Sequence, residues 1–206
     1  MSLVQGKLFF LGLLMMALHV NVHAAQMEPV PQKIIREATD QLLERFRQEE
    51  MLIRTQPGKL YDLVVDVVVP TFDFWRMSRW VLGKYWRKAS VKQRQRFVVE
   101  FQQMLVRTYS AALLEYKGQE LVFLPMKGPS KRGEVTVRVE IEQAGAFPIP
   151  ISYRLYQKDN EWKIFDVKID EISMVSNYRT TFGSEIRKHG IDWLIRELAA
   201  KNGKKN

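Results

Sequence analysis

Residues 134–142 read EVTVRVEIE, with Val135, Val137, Val139 and Ile141 on one side and Thr136, Arg138, Glu140 and Glu142 on the other. Side chains alternate across a strand, so this pattern predicts a β-strand with one dry face and one wet face. It also marks a change of period along the chain. Upstream of Gly118 the apolar residues recur at helical spacing, and after Ser173 they do so again. Between those points "ELVFLP" (120–125), "IPISYRLYQ" (149–157) and "EWKIFDVKI" (161–169) read as three companion strands. They are separated by a polar loop at 128–133 and a tight turn at Asp159-Asn160. Helices, then a meander, then helices define an α+β fold. The expectation is a four-stranded antiparallel sheet packed against N-terminal and C-terminal helices.

Working outward from the meander, Ser90 followed by Gln93 predicts a capping box. It opens a helix through Phe97, Phe101, Leu105, Tyr109 and Leu113 that stops at Gly118. Before it, "TFDFWRMSRWVLGKYWRKAS" (71–90) concentrates six aromatic side chains and reads as core-forming. "KLYDLVVDVVV" (59–69) is apolar on most sides and fits a buried helix or a strand. Ile34, Ala38, Leu42 and Phe46, spaced four apart among charged residues, predict an amphipathic helix over 30–54. At the other end, "MVSNYRTTFGSEIRKHG" and "DWLIRELAA" predict two helices, and the polar tail 201–206 reads as frayed.

The first 24 residues read as a targeting segment. Lys7 precedes the 13-residue apolar run LFFLGLLMMALHV, and Val22 and Ala24 occupy the −3 and −1 positions of a cut after Ala24. The run is too short to span a bilayer, which takes about 20 residues. The mature chain is therefore expected to be exported, with residues 25–200 as a single domain.

Composition excludes several chemistries. There is no cysteine, which removes thiol catalysis, thiolate metal ligands and redox exchange. Of three histidines, only His189 survives removal of the signal peptide. A lone histidine at a helix end supplies neither a triad nor a metal site. No phosphate-binding glycine loop is present. The net charge of +9, or +8 without Lys7, suits anionic headgroups or acidic protein surfaces. The basic residues are scattered rather than interleaved with aromatics on one strand face, so nucleic acid is not an expected partner. The remaining enzymatic candidates are the carboxylates Asp166, Asp170 and Glu171, which would have to act as the acid and base of an exported hydrolase. Asp170 and Glu171 are adjacent and point apart on a strand, while Asp166 and Lys168 share a face as an expected exposed pair. A non-catalytic adaptor of the envelope is the other alternative.

Two long segments carry a resemblance. "FDFWRMSRWVLGKYWRKASVKQRQRFVVEFQQMLVRTYSAALLEY" (72–116) and "WKIFDVKIDEISMVSNYRTTFGSEIRKHGIDWLI" (162–195) closely resemble, in this order, the MlaC or toluene-tolerance (Ttg2-type) family of periplasmic phospholipid-binding proteins. The resemblance implies a monomeric carrier without enzymatic activity or cofactor, with phospholipid as cargo in an apolar cavity between sheet and helices. It further implies partners in an outer-membrane lipoprotein complex and an inner-membrane ABC transporter, and a role in outer-membrane lipid asymmetry. The family usually has glycine where this chain has Glu171, which implies a permissive backbone or a close approach there.

Elementary energetics agree with a carrier. Exposing on the order of 30 methylenes of a two-chain lipid to water costs about 24 kcal/mol at ~0.8 kcal/mol each. A vehicle must therefore offer apolar walls and few titratable groups. The expected walls are the dry strand residues Val135, Val137, Val139, Ile151, Tyr153, Leu155, Val167 and Ile169, with Phe72, Trp75, Tyr109, Leu113, Ile172 and Met174 from the flanking segments. Asp170, Glu171, Tyr178 and Arg179, just beyond the last strand, are the expected mouth and headgroup contacts.

Overall fold

The computed structural model describes residues 28–56, 58–126, 128 and 133–203. The expected signal peptide lies outside these residues.

The chain begins with α1 (Val30–Thr55), whose buried stripe includes Ile35, Phe46 and Ile53. Its outer face carries the pairs Arg45–Glu49, Arg47–Glu44 and Arg54–Glu50. Such exposed pairs each stabilise a helix by only a few tenths of a kcal/mol, about 0.3–0.5, so burial of the stripe holds α1 in place. The ambiguous apolar run resolves into α2 (Gly58–Val67), which buries Leu60, Leu63, Val64 and Val67. That spacing is helical, and it marks the face turned to the core. A short 3₁₀ turn, Val69–Thr71, leads to α3 (Phe74–Leu82). Asp73 caps α3 by accepting from the backbone N–H of Arg76. Next come α4 (Lys84–Lys88) and α5 (Val91–Ser110). Ser90 and Gln93 form the expected reciprocal capping box at the start of α5.

The meander has five strands among the described residues, in the order β1 (Leu121–Phe123), β2 (Val135–Ile141), β3 (Ile149–Lys158), β4 (Glu161–Ile169) and β5 (Ile172–Ser173). The fifth corrects the expected count of four. Two residues are too short to display an alternation, so β5 has no periodic signature. It pairs with β4 across a two-residue turn at Asp170 and Glu171, with φ of 49° and 61°. Asp159 and Asn160 make the other such turn, with φ of 50° and 65°. Both are the left-handed pairs that a tight hairpin of the primed type requires. At position 171, where the resemblance implies a glycine, this chain holds a glutamate in a conformation that glycine favours.

Strand register is continuous through the dry face. Val137 lies opposite Tyr153, which lies opposite Val167, and Val139 lies opposite Ile151, which lies opposite Ile169. A bulge interrupts the β3–β4 pairing, so that Leu155 faces Ile164 while Arg154 faces Asp166. The extra residue, Phe165, turns to the opposite face, where it packs on Trp80 and Tyr156 with ring centroids 5.4 and 5.7 Å away. β4 is consequently buried on both sides.

The chain closes with α6 (Met174–His189), which ends at Gly190, and α7 (Ile191–Gly203). The polar tail is shorter than expected. Asn202 is buried, and its side-chain amide donates to the Glu100 backbone carbonyl and carboxylate, tying the last helical turn to α5. Two interiors result. One is a solid aromatic core formed by α3, α5, α6, α7 and the outer face of β4. The other lies between the dry sheet face and α1, α2 and the end of α5.

Candidate functional site: an uncharged cavity under the sheet

The second interior is hollow. A cavity of about 390 Å³, partly open to solvent, lies between the dry sheet face, α1, α2 and the end of α5. The sheet contributes Leu121, Phe123, Val139, Ile141, Ile151, Tyr153, Ile164, Val167 and Ile169 to its walls. Among the described residues, none of the lining side chains is charged. Its size falls within the range of small-ligand pockets, about 300–1,000 Å³.

Of the expected lining residues, Phe72, Tyr109, Leu113, Val139, Ile151, Tyr153, Val167, Ile169 and Met174 meet at the cavity. Five others lie elsewhere. Val135, Val137 and Leu155 point to the same sheet face but are sealed in packed core. Trp75 is turned outward, 45% exposed, edge-on to Trp86 with ring centroids 5.0 Å apart. Its neighbours Phe74 and Met77 face the cavity instead, so the helical phase of α3 runs one residue away from the expected one. Ile172, in the two-residue β5, is 63% exposed.

The wall missed by sequence reading is helical. Ile35, Ala38, Thr39, Leu42 and Leu43 of α1 and Val64 of α2 line the side facing the sheet. Their apolar stripe was visible, but a stripe reports burial and not what it is buried against. Ile164 was missed for another reason, because the bulge inverts the alternation counted back from Val167.

The expected mouth residues are distributed. Asp170 and Glu171 form the β4–β5 turn, adjacent to the lining residue Ile169, and the Glu171 carboxylate pairs with Lys168 at 3.4 Å. Tyr178 lies in the aromatic core against Phe101 and Phe182. Burial, with a hydrogen bond shared with the Tyr109 hydroxyl, pushes the Tyr178 phenol well above its ordinary pKa. It meets the cavity through Tyr109. The Arg179 guanidinium lies across Gly83, which has φ of 52°, and a Cβ there would stand 3.1 Å from Arg179 Nε. The positive φ accounts for the glycine between α3 and α4, and the contact places Arg179 on the solid side of the fold.

Asp166 also differs from expectation. It is 2% exposed, accepting from the Ser173 hydroxyl at 2.8 Å and from the Val175 backbone N–H at 3.2 Å, with Arg154 at 3.6 Å. It fastens the start of α6 to β4, and Lys168 pairs with Glu171 instead. The carboxylates considered for hydrolysis are thus divided between a structural tie and an exposed turn. A second polar cluster joins Asp73 to the Tyr156 hydroxyl and to Lys158 at 3.3 Å. Burial alone would raise the Asp73 carboxyl, but these donors and the Arg76 N–H together hold it below the usual range. Burial, reinforced by Asp73, pushes Tyr156 up to about 12. His189 is half-exposed at the end of α6, its ring tilted against Trp193 with centroids 4.4 Å apart. Among the described residues there is no group of three His, Asp or Glu placed to hold a metal, and no helix long and apolar enough to cross a membrane.

A chamber under an antiparallel sheet, partly open and walled mainly by aliphatic and aromatic side chains, defines a binding protein for apolar ligands. The particular family follows from comparison with known proteins. Residues 36–200 match the family described as MlaC protein, and the chain belongs to that family. It is 27% identical over 202 residues to the intermembrane phospholipid transport system binding protein MlaC of Haemophilus influenzae, covering 96% of this chain and 94% of that protein. It is 28% identical over 164 residues to the toluene tolerance protein ttg2D of Pseudomonas putida, covering 79% and 75% respectively. Among solved structures, a phospholipid-binding protein from Ralstonia solanacearum, in complex with a phospholipid, superposes with a TM-score of 0.76 at 27% identity. That match covers 83% of this chain and 96% of the other.

Proposed function

We propose that this chain is a periplasmic phospholipid carrier, exported behind residues 1–24, that holds acyl chains in the cavity beneath its sheet. It exchanges lipid between an inner-membrane ABC transporter complex and an outer-membrane lipoprotein complex and so maintains outer-membrane lipid asymmetry. The observation that carries this reading is the cavity wall, which has many apolar side chains and, among the described residues, no charged one. Tails moved from bilayer into such a space exchange one apolar environment for another, so the roughly 24 kcal/mol cost of exposing them to water is avoided and transfer stays reversible. No covalent step is required of the protein. The phospholipid transport named for the Haemophilus relative and the phospholipid bound in the Ralstonia structure support the same cargo. The basic surface would favour anionic membrane or protein surfaces, an attraction that added salt weakens.

The test is organic extraction and mass spectrometry of the purified mature protein, beside a variant in which Ile151→Trp fills the cavity. Phospholipid recovered from the parent and strongly reduced in the variant is the expected result. Equal lipid from both, or none from the parent after exposure to phospholipid vesicles, overturns the reading.

A further inference from the structure

Six of the cavity-lining side chains carry a hydroxyl, namely those of Thr39, Thr71, Tyr109, Ser110, Tyr116 and Tyr153. Five have partners within the protein. Thr39 donates to the Ile35 carbonyl at 2.7 Å, Thr71 to that of Val68 at 2.7 Å, Ser110 to that of Arg107 at 3.5 Å and Tyr116 to that of Gln119 at 3.3 Å. Tyr109 shares its hydrogen bond with Tyr178. Tyr153 alone has no hydrogen-bond partner among the described residues. It stands in the middle of β3 between Val137 and Val167, on the cavity face. Burial pushes its phenol up to about 12, as expected for a hydroxyl facing hydrocarbon.

Folding places a polar group against apolar surroundings at a cost unless it finds a partner. Phenylalanine would fill the same space without that cost. The phenol is a donor without a partner among the described residues on the cavity face, and once acyl chains fill the cavity and displace its solvent the cargo becomes the source of an acceptor. A diacyl phospholipid offers two kinds of acceptor, the charged phosphate and the neutral ester carbonyls. With no charged side chain among the described lining residues, a phosphate drawn into the cavity would be desolvated without a countercharge from them. The ester carbonyl has no such penalty. We propose that the Tyr153 hydroxyl donates a hydrogen bond to an acyl ester carbonyl of the bound lipid, fixing how deeply the lipid sits and favouring ester-linked over ether-linked chains. This inference rests on the carrier reading given above.

The experiment pairs a protein change with a ligand change. Binding of a diester phosphatidyl lipid and of its diether counterpart, matched in chain length and headgroup, is measured on the delipidated mature chain and on Tyr153→Phe. The parent is expected to prefer the diester by about fivefold, and Tyr153→Phe to bind both equally, at about the parent's diether affinity. No preference in the parent, or an undiminished preference in the variant, overturns the proposal. Binding of neither lipid by the parent overturns the carrier reading as well. Should Tyr153→Phe fail to fold, the infrared band of a carbonyl-labelled diester bound to the parent decides. A component shifted to lower wavenumber supports the hydrogen bond, and an unshifted band refutes it.

Discussion

The two interiors of this protein are built from similar apolar residues and yet end differently. On the outer side of β4, Phe97, Phe101 and Phe182 pack ring against ring, with Phe97 and Phe101 stacked at 5.6 Å and Phe182 edge-on to both at 6.0 and 6.1 Å. On the inner side, aliphatic residues of the sheet and α1 face one another across open space. Flat rings on neighbouring helices interdigitate, and Phe97 and Phe101 are fully buried among them. The sheet and α1 residues that line the cavity do not fill the space between them. Burial is thus common to both regions, and what a buried face meets separates a core from a container.

The largest expected effect breaks that comparison directly. Phe101→Ala, in the solid core, should destabilise the lipid-free protein by about 3–5 kcal/mol in urea denaturation, because the residue is surrounded and its loss leaves a void. Leu42→Ala, in the cavity wall, should cost less than about 1.5 kcal/mol, since one side of Leu42 already lacks packing partners. Equal costs would mean that the two interiors do not differ in packing.

Next in size, Asp166→Asn should cost about 2 kcal/mol, because the neutral amide weakens the bonds from Ser173 and Val175 and leaves Arg154 with a poorer partner. Lipid content should be unchanged, since Asp166 is not part of the cavity wall. A loss of lipid without a loss of stability would move Asp166 from a structural role to the site.

The Asp73 cluster sharpens the same contrast through pH. Its folded carboxyl lies below its usual range, so its contribution is complete above the unfolded pKa of about 3.9 and is lost as pH falls through the folded value. Asp73→Asn should cost about 1 kcal/mol at neutral pH and flatten the acid side of the stability profile. A profile that remains as steep would assign the acid sensitivity to other carboxylates.

The smallest effect is a gain. Glu171→Gly should stabilise by about 0.5 kcal/mol, the relief of a left-handed backbone at φ of 61° less the entropy that glycine loses on folding. The exposed pair with Lys168 that it removes contributes little. A loss of stability would show that this turn depends on its side chain.

The parts of this fold legible in sequence were those governed by local rules. The Ser90 capping box and the Val135–Val139 alternation read correctly because neighbouring residues alone determine them. The family motifs at 72–116 and 162–195 pointed to the cavity as a whole. What stayed illegible depends on partners distant in the chain. The bulge after Arg154 exchanged Ile164 for Phe165 on the cavity face, and the phase of α3 exchanged Phe74 for Trp75. The α1 stripe showed that it was buried but not that it faces a hollow. Asp166 looked like an exposed partner of Lys168 until α6 folded over it. Alternation says which residues leave water, and tertiary placement says what they meet.

The most direct test of the hollow-and-solid contrast is photocrosslinking with a phospholipid whose acyl chain carries a diazirine near its end. After irradiation of the loaded protein, mass spectrometry should find adducts on α1 and the inner sheet face, at residues such as Leu42, Ile151 and Val167. Adducts concentrated on Phe97, Phe101 or Phe182, or scattered over the outer surface, would contradict an acyl-chain site beneath the sheet.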